Sequence, residues 1–264
     1  MNVGTMAPAS NAAALLWRLW SEGRSVPALP AALRPVTCDD GWAIQRALDD
    51  HAGPPAGWKL AATSAAGQAL VGADGPLAGR IYRRCVAASG AQLDAAALTM
   101  RVAEPEFAFR IVRDIAAIGS PVTREGVLAA VGALMPAVEV PDSRFDDYLA
   151  VGLPSMLADG LCCGFLVLGD DVEDWDPDDL PARPVALRRN GEVVAEGTGA
   201  NVLGDPVAAL VWLARHLHDR GAALRAGDVV TTGACTIPHV VRSGDEIVAD
   251  FGDLGQVQVA FRAA

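Results

Sequence analysis

Apolar residues recur at helical spacing near the start of the chain. In "SNAAALLWRLWSEG" they predict a helix that begins at Ser10 or Asn11, either of which can cap it. A second helix is predicted over "VTCDDGWAIQRALDDH", where Thr37 and Asp40 have the spacing of an acidic capping box. These two helices and the proline-rich link between them predict an N-terminal helical segment, which we place at residues 1–55.

After residue 55 the apolar pattern changes to that of short strands. Helices are still predicted in "TREGVLAAVGALM", capped by Thr123, and in "GDPVAALVWLARHLHDRG", where Asp205 is the N-cap and Pro206 the first helical residue. The predicted strands cover 56–62, 102–112, "PAVEV", "LCCGFLVLGD", a hairpin that turns at Asn190-Gly191, and three segments near 228–232, 245–251 and 256–262. A second region, consisting mostly of strands, is therefore expected at residues 56–264.

The predicted strand "RVAEPEFAFRIV" carries two carboxylates on one face. Side chains alternate along a strand, so Glu104 and Glu106 point the same way while Phe107 and Phe109 point into the core. Glu139 lies among apolar residues in "PAVEV", where an unpaired charge is costly. Three carboxylates with room for water suit Mg²⁺ or Mn²⁺. The alternative is that Glu104 and Glu106 line a solvated face and Glu139 pairs with an arginine.

Lys59 is the only lysine among the 21 lysines and arginines of the chain. Arginine serves equally well as a surface cation, whereas a site that needs a compact ammonium, or an amine that can lose its proton, requires lysine. Lys59 also lies at the end of a predicted strand, before the segment "TSAAGQ", which we expect to be a loop. The residue is either a chance survivor or part of a functional site.

Charge and cysteine content narrow the class of protein. The formal net charge is -11 and the basic residues are scattered, which argues against nucleic acid and anionic membranes as partners. No apolar run approaches the roughly 18 residues of a membrane span. The cysteines show no CxxC spacing, which favours reduced thiols and a cytoplasmic protein; they are Cys38, Cys85, Cys162, Cys163 and Cys235.

A set of segments in one order carries a family resemblance. From about residue 10 to 262 the chain contains "GWKLAATSAAGQALVGADGPLAGRI", "EPEFAF", "PAVEVPDSRF", "LADGLCCGFLVLG", "VLGDPVAALVWLARHL", "LRAGDVVTTGA" and "VRSGDEIVADFGDLGQVQVAF". Together they resemble the 2-keto-4-pentenoate hydratase group, in the hydratase/decarboxylase branch of the fumarylacetoacetate hydrolase superfamily. The resemblance implies an α+β, largely β fold, which is a distorted β-roll with outer helices and a small N-terminal helical part.

The resemblance also assigns roles to residues of this chain. It implies that Glu104, Glu106 and Glu139 hold one Mg²⁺ or Mn²⁺ ion, on which the 2-oxo and carboxylate oxygens of a substrate are chelated. Lys59 matches the active-site lysine of the family, and Asp74 matches an acid that approaches the same site. We expect both to move protons, and a desolvated Lys59 beside a cation would have a lowered pKa and act as a base.

Five further residues are expected to bind substrate. In "ADGLCCGF", Asp159 is retained from the family pattern, whereas Cys162 and Cys163 replace two serines whose hydroxyl can help to hold the substrate carboxylate. A thiol is a weaker hydrogen-bond donor, and the alternative is that both thiols pack inside a buried strand. Thr232 and Gly233 lie in a segment that matches a cavity-lining loop, where glycine lets the backbone approach a ligand.

The resemblance implies a metal-dependent lyase of aromatic catabolism. The leading expectation is a hydratase that adds water to a 2-hydroxy-dienoate or 2-oxo-enoate through a metal-stabilised enolate. The alternatives are a decarboxylase acting on 4-oxalocrotonate, a C–C hydrolase of acylpyruvates and a non-catalytic partner subunit. The hydrolase relatives use a His–Glu pair that has no clear counterpart in this chain, where His51 is the residue left open for that role. The expected partners are a small 2-oxo acid, further copies of the chain and another enzyme of the same pathway.

Overall fold

The computed structural model describes residues 6–115 and 121–262. Its helices are α1 (Met6–Ser21), α2 (Cys38–Ala52), α3 (Ala65–Val71), α4 (Arg124–Leu128), α5 (Leu153–Ala158) and α6 (Pro206–Asp219). Its strands are β1 (Pro55–Ala61), β2 (Leu77–Tyr82), β3 (Val86–Ala88), β4 (Ala91–Leu93), β5 (Val102–Ile111), β6 (Val131–Val140), β7 (Phe165–Leu168), β8 (Pro184–Arg189), β9 (Glu192–Thr198), β10 (Val229–Ala234), β11 (His239–Val240), β12 (Glu246–Asp250) and β13 (Gln256–Phe261).

The strands form two sheets that enclose the main core. The larger sheet has the order β2-β1-β10-β5-β6-β7-β3, with β11 paired to the outer part of β5, and the smaller has the order β4-β13-β12-β8-β9. The rings of Phe107 on β5 and Phe251 beyond β12 meet edge to face, with centroids 5.1 Å apart. The buried leucines of α6 join the same core. The predicted α+β, largely β fold with outer helices is confirmed.

The N-terminal helices bury their apolar faces against the sheet region. Leu16 of α1 and Leu48 of α2 share a core with Tyr82 of β2 and Phe145, and the Tyr82 hydroxyl donates a hydrogen bond to Asp49 of α2. The helical part therefore packs directly on the strands that it precedes. The proposed boundary at residue 55 remains a prediction. Within the described ranges, no helix is long and apolar enough to cross a membrane.

Local signals in the sequence predicted several elements correctly. The capping box of α2 is present, since Thr37 Oγ1 accepts from the Asp40 N–H and Asp40 accepts from the Thr37 N–H. The caps of α6 are also as predicted, because Asp205 accepts from the Val207 N–H and Pro206 opens the helix. Asn190 and Gly191 both have positive φ in the hairpin turn between β8 and β9.

Four sequence-based boundaries were wrong. Helix α1 begins at Met6, so Ser10 and Asn11 lie inside it rather than capping it. The helix after Thr123 ends at Leu128, because residues 131–135 pair with β5 and bury Leu134 and Met135 as the first half of β6.

The other two wrong boundaries lie near Cys162 and just after Lys59. The segment "LCCGFLVLGD" becomes a strand only at Phe165, because Leu161 and Cys162 have positive φ in a turn after α5. The expected loop after Lys59 contains α3, which is capped by Ser64.

Candidate metal centre and substrate cavity

Three glutamates converge where β5 and β6 pair. Glu104 and Glu139 are directly opposite each other in this antiparallel pair, and Glu106 lies two residues further along β5. One carboxylate oxygen from each lies within 4.8 Å of the others. Glu106 and Glu139 are 0% and 3% exposed, and Glu104 is half-buried. The period of two along β5 and its register with β6 thus bring together the three carboxylates that the sequence pattern singled out.

The electrostatics of this cluster fit a divalent cation. Burial and the neighbouring carboxylates raise the pKa of Glu104 to about 7 and raise the pKa of Glu106 well above its usual range. Within the described structure, Glu106 Oε1 and Glu139 Oε2 are buried without a hydrogen-bond partner. A cation relieves carboxylate repulsion and satisfies such oxygens, and an all-oxygen ligand set suits Mg²⁺ or Mn²⁺.

Gly233 on β10 supports the cluster from one side. Its N–H donates a hydrogen bond of 2.9 Å to Glu106 Oε2. The residue has φ of +106°, and a Cβ there would lie 2.0 Å from Thr63 Oγ1. Only glycine fits both the conformation and the space. The backbone therefore reaches the carboxylate directly, as expected for a loop that lines the site.

Lys59 closes the cluster from the other side. Its Nζ lies 2.6 Å from Glu139 Oε1 and donates a hydrogen bond of 2.8 Å to the Leu161 carbonyl. Glu139 thus pairs with this lysine and not with an arginine. Burial lowers the pKa of Lys59, but Glu139, Cys162 and Glu104 outweigh it, so the pKa is raised. Without a cation at the glutamates, contact with a buried carboxylate outweighs desolvation; the lowering expected of Lys59 beside a bound cation remains a prediction.

The approach of residues 160–162 to Lys59 depends on Gly79, which sequence reasoning missed. Gly79 lies opposite Lys59 in the pairing of β1 with β2. A Cβ at this position would lie 2.5 Å from the Gly160 carbonyl oxygen and 3.2 Å from Lys59 Cγ. The missing side chain lets the turn after α5 reach the lysine ammonium.

A cavity of about 790 Å³ opens above the carboxylates. Lys59, Glu104, Glu139, Cys162 and Gly233 contribute to its lining. Its walls are largely apolar and include Leu70, Val71, Leu77, Met156, Leu161 and Ile237. The strand pattern contained no signal for these wall residues, because they come from α3, α5, the start of β2 and separate loops. The arrangement is a polar, charged base under an apolar chamber, which suits a small acid with a hydrocarbon portion.

The two adjacent cysteines lie in different environments. Cys162 lines the cavity, and burial raises the pKa of its thiol to about 12. Cys163 packs instead in the N-terminal core, where its thiol faces Cys85. The positive φ of Cys162 separates the two side chains. Cys162 is therefore placed for substrate contact, and Cys163 is not.

Asp159 and Thr232 are buried outside the cavity lining. The Asp159 carboxylate pairs with Arg144 and accepts a hydrogen bond of 2.9 Å from Ser143 Oγ. Thr232 Oγ1 donates to the Phe107 carbonyl at 3.0 Å. Their polar atoms already hydrogen-bond to other residues of the protein, and neither side chain faces the cavity. Their positions therefore do not support the expected contacts with substrate. Both residues instead hold the turn and the strand that shape the site.

Asp74 is exposed in the loop between α3 and β2 and does not contribute to the cavity lining. The structure therefore places it near an element that borders the cavity, but not beside Lys59 or the glutamates. Its expected role in proton transfer remains a prediction.

Comparison with known proteins matches this architecture to one family. The family model described as fumarylacetoacetate (FAA) hydrolase C-terminal matches residues 77–262. A 2-keto-4-pentenoate hydratase 1 of Dechloromonas aromatica (strain RCB) is 30% identical over 265 residues, covering 99% of this chain and 100% of the relative. A 4-oxalocrotonate decarboxylase of Pseudomonas putida is 31% identical and covers 83% of this chain and 82% of its own.

A solved structure agrees over nearly the whole length. The 4-oxalocrotonate decarboxylase from Pseudomonas putida G7, complexed with magnesium and adipate, superposes with a TM-score of 0.87 at 26% identity and covers 96% of this chain and 97% of its own. With the family model spanning most of the chain and a relative aligned from end to end, this protein belongs to the fumarylacetoacetate hydrolase superfamily, in the branch of the 2-keto-4-pentenoate hydratases and 4-oxalocrotonate decarboxylases.

Proposed function

We propose that this protein is a metal-dependent lyase, a hydratase that adds water to a 2-hydroxy-dienoate or 2-oxo-enoate in aromatic catabolism. The observation that carries the proposal is the convergence of Glu104, Glu106, Glu139 and Lys59 at the base of one cavity. The names of the hydratase relatives support this activity. The magnesium in the similar decarboxylase structure supports a divalent metal as cofactor.

Glu104, Glu106 and Glu139 would hold the metal, which we propose is Mg²⁺ or Mn²⁺. When bound, such an ion supplies Lewis acidity towards the 2-oxo and carboxylate oxygens of a substrate. The glutamates themselves bring the negative charge that attracts the ion, and Gly233 fixes the orientation of Glu106 through its N–H.

Lys59 is the proton donor and the positive charge of the proposed site. Nζ lies 2.6 Å from Glu139 Oε1, and this ion pair favours its protonated form. An ammonium in this position stabilises negative charge that develops on the substrate oxygen, and it can deliver a proton to the substrate carbon during ketonisation. The apolar walls limit the access of bulk water, which strengthens both effects. Asp74 remains a candidate second proton carrier, although its exposed position does not favour it.

Decarboxylation of a 2-oxo diacid is the second candidate. It would use the same carboxylates and the same lysine, and the decarboxylase relatives favour it. C–C hydrolysis of an acylpyruvate is less well supported, because His51 lies in the last turn of α2 and outside the cavity lining. A non-catalytic subunit is disfavoured, because Lys59 and all three glutamates are present in a cavity that can accept a substrate.

The experiment that tests the proposal compares three substrates on the metal-reconstituted protein. These are 2-hydroxypenta-2,4-dienoate, 4-oxalocrotonate and an acylpyruvate, and product analysis separates addition of water, loss of CO₂ and C–C cleavage. We expect hydration, and we expect it to stop after metal removal and to return with Mg²⁺ or Mn²⁺. Absence of turnover with all three substrates would refute the proposal, and CO₂ release without hydration would select the second candidate.

The assembly and location of the protein are further proposals. We propose a homo-oligomer that acts in the cytoplasm and associates with another enzyme of its pathway, as the family resemblance implies. Light scattering coupled to size-exclusion chromatography measures the first of these properties directly, and a monomeric mass at micromolar concentration would exclude it.

A further inference from the structure

We propose that the cavity selects substrates whose distal end is uncharged and apolar, and that Leu70 and Ile237 at its mouth set this preference. The inference rests on the proposed function, because it assumes that the 2-oxo acid head group binds at the three glutamates. It goes beyond that function, because it states that the cavity binds a monocarboxylate with an alkyl tail more tightly than a dicarboxylate of the same length.

The distribution of charge along the cavity is the first argument. Among the described lining residues, only Lys59, Glu104 and Glu139 are charged, and all three belong to the base. The Lys59 ammonium is already held by Glu139 and by the Leu161 carbonyl. No described wall residue therefore offers a cation to a carboxylate at the far end of the substrate. A carboxylate that leaves water without such a partner pays a large desolvation cost.

The polar groups of the walls do not compensate for this lack. Asn201 donates its side-chain amide to the Cys235 carbonyl, Ser64 caps α3, and Thr236 donates to the Ile237 carbonyl. Thr63 and Tyr148 add neutral hydroxyls, and the Ser64 hydroxyl, which accepts the capping bond, can still donate. Each can give one hydrogen bond but carries no charge to offset a carboxylate. The walls thus favour an uncharged tail over an anionic one.

The exposure of apolar side chains at the mouth is the second argument. Leu70 on α3 is 61% exposed and Ile237 in the loop before β11 is 74% exposed, yet both line the cavity. Ala66 and Leu70 are four residues apart, so they present one face of α3 to the cavity. An apolar tail that reaches the mouth removes these two side chains from water, which favours binding.

A matched set of saturated 2-oxo acids tests the inference without any turnover. Calorimetry measures the Kd of 2-oxopentanoate, 2-oxohexanoate, 2-oxooctanoate and 2-oxoadipate for the metal-reconstituted protein. We expect the Kd to fall by up to about fourfold for each methylene that becomes buried. We expect 2-oxoadipate to bind about tenfold or more weakly than 2-oxohexanoate, which has the same number of carbons but ends in a methyl group.

Substitutions at the mouth assign the preference to named residues. Leu70→Ala should weaken 2-oxooctanoate severalfold and leave 2-oxopentanoate unchanged. Leu70→Arg and, separately, Ile237→Arg should reduce or reverse the preference for 2-oxohexanoate over 2-oxoadipate, because each places a cation beside the distal carboxylate. Val193→Arg is the control, since Val193 is an exposed valine on β9 of the smaller sheet and should change none of these constants.

The outcomes distinguish this inference from the proposed function. If 2-oxoadipate binds as tightly as 2-oxohexanoate, and metal-dependent binding is otherwise intact, the apolar selection is wrong while the site assignment stands. If no 2-oxo acid binds with or without metal, the proposed function fails and the inference fails with it. If the arginine variants change only the oligomeric mass and not the ratio of the two constants, Leu70 and Ile237 belong to an interface between copies and the inference is overturned.

Discussion

Lys59 Nζ lies 2.6 Å from Glu139 Oε1, although β10 and β5 separate their strands in the sheet. In a flat sheet β1 and β6 would be about 14 Å apart, and two side chains that stand roughly perpendicular to the sheet would not meet across that distance. The sheet must therefore curl towards this face, and its concave side forms the base of the cavity. The contact joins the proposed proton donor to the proposed metal site.

Replacement of Lys59 is the most direct test of its role. Lys59→Arg keeps a positive charge but brings a larger, planar group that does not give up its proton. We expect kcat to fall by about 10²- to 10⁴-fold, the usual contribution of a positioned acid or base. Steady-state assays of the metal-reconstituted variant measure this effect, with the exposed substitution Arg24→Lys as control. A Lys59→Arg enzyme with full activity would exclude proton transfer by Lys59.

One substitution in the carboxylate cluster, Glu106→Gln, should weaken metal binding and at the same time stabilise the metal-free protein. Glu106→Gln removes one charge but still accepts the hydrogen bond from Gly233. Its affinity for Mn²⁺ should fall by at least about tenfold, which isothermal titration calorimetry measures. The metal-free variant should melt a few degrees higher than metal-free wild type, because the unfolded chain ionises Glu106 at neutral pH while the raised pKa of the folded protein opposes ionisation, and glutamine removes this difference.

The control for this prediction is Glu196→Gln, which neutralises an exposed glutamate on β9 and should leave both quantities unchanged. A Glu106→Gln protein that binds Mn²⁺ as wild type does would remove Glu106 from the metal site. Lower melting in both the presence and the absence of metal would show that the carboxylate stabilises the fold instead of straining it.

The parts of the structure that were predictable from the sequence depend on short-range rules. Glu104 and Glu106 share a face because strand side chains alternate, and Thr37 caps α2 through a contact three residues away. The apolar spacing of residues 131–135 resembles that of a helix, but pairing with β5 decides their conformation. The ion pair of Lys59 with Glu139 was also beyond local reasoning, because it depends on the curl of a sheet whose strand order is not sequential.

Replacing Cys162 or Cys163 by serine should have different effects, because one thiol lines the cavity and the other is packed in the N-terminal core. Cys162→Ser places a stronger donor in the cavity, so the Kd of a 2-oxo acid should fall by about threefold to tenfold with little change in stability. Cys163→Ser places a hydroxyl in the N-terminal core, so the free energy of unfolding should fall by about 1–3 kcal/mol with an unchanged Kd. Ligand titration and urea unfolding of both variants measure the two effects. A change of Kd in Cys163→Ser together with a loss of stability in Cys162→Ser would contradict the directions in which the turn points these two side chains.

The burial of Asp159 predicts a structural role. Both Asp159 and Arg144 are almost fully buried, and removal of one charge leaves the other without a partner. Asp159→Asn should reduce the free energy of unfolding by about 3–5 kcal/mol, while the fraction that stays folded binds 2-oxo acids normally. Asp114→Asn, at an exposed pair with Arg225, should leave the free energy of unfolding almost unchanged. A stable Asp159→Asn protein that has lost 2-oxo acid binding would contradict the structural role and support the expected substrate contact of Asp159.

His216 predicts how stability changes with pH. Its ring stacks on Trp212 and meets the edge of Trp42, and burial, followed by the charge of Arg220, lowers its pKa below 6.5 despite the opposing charge of Asp219. The unfolded chain therefore takes up a proton at this residue more readily than the folded protein does. The contribution of His216 to stability is present above the unfolded pKa and declines as the pH falls below about 6.5 towards the lower folded value.

His216→Phe keeps an aromatic ring in the stack but cannot be protonated. The free energy of unfolding of the variant should consequently fall less than that of wild type between pH 7.5 and pH 5, and the difference between the two proteins should be constant above pH 7.5. Urea unfolding at a series of pH values measures both curves. Parallel curves through the whole acid range would show that the neutral form of His216 is not selected by the fold.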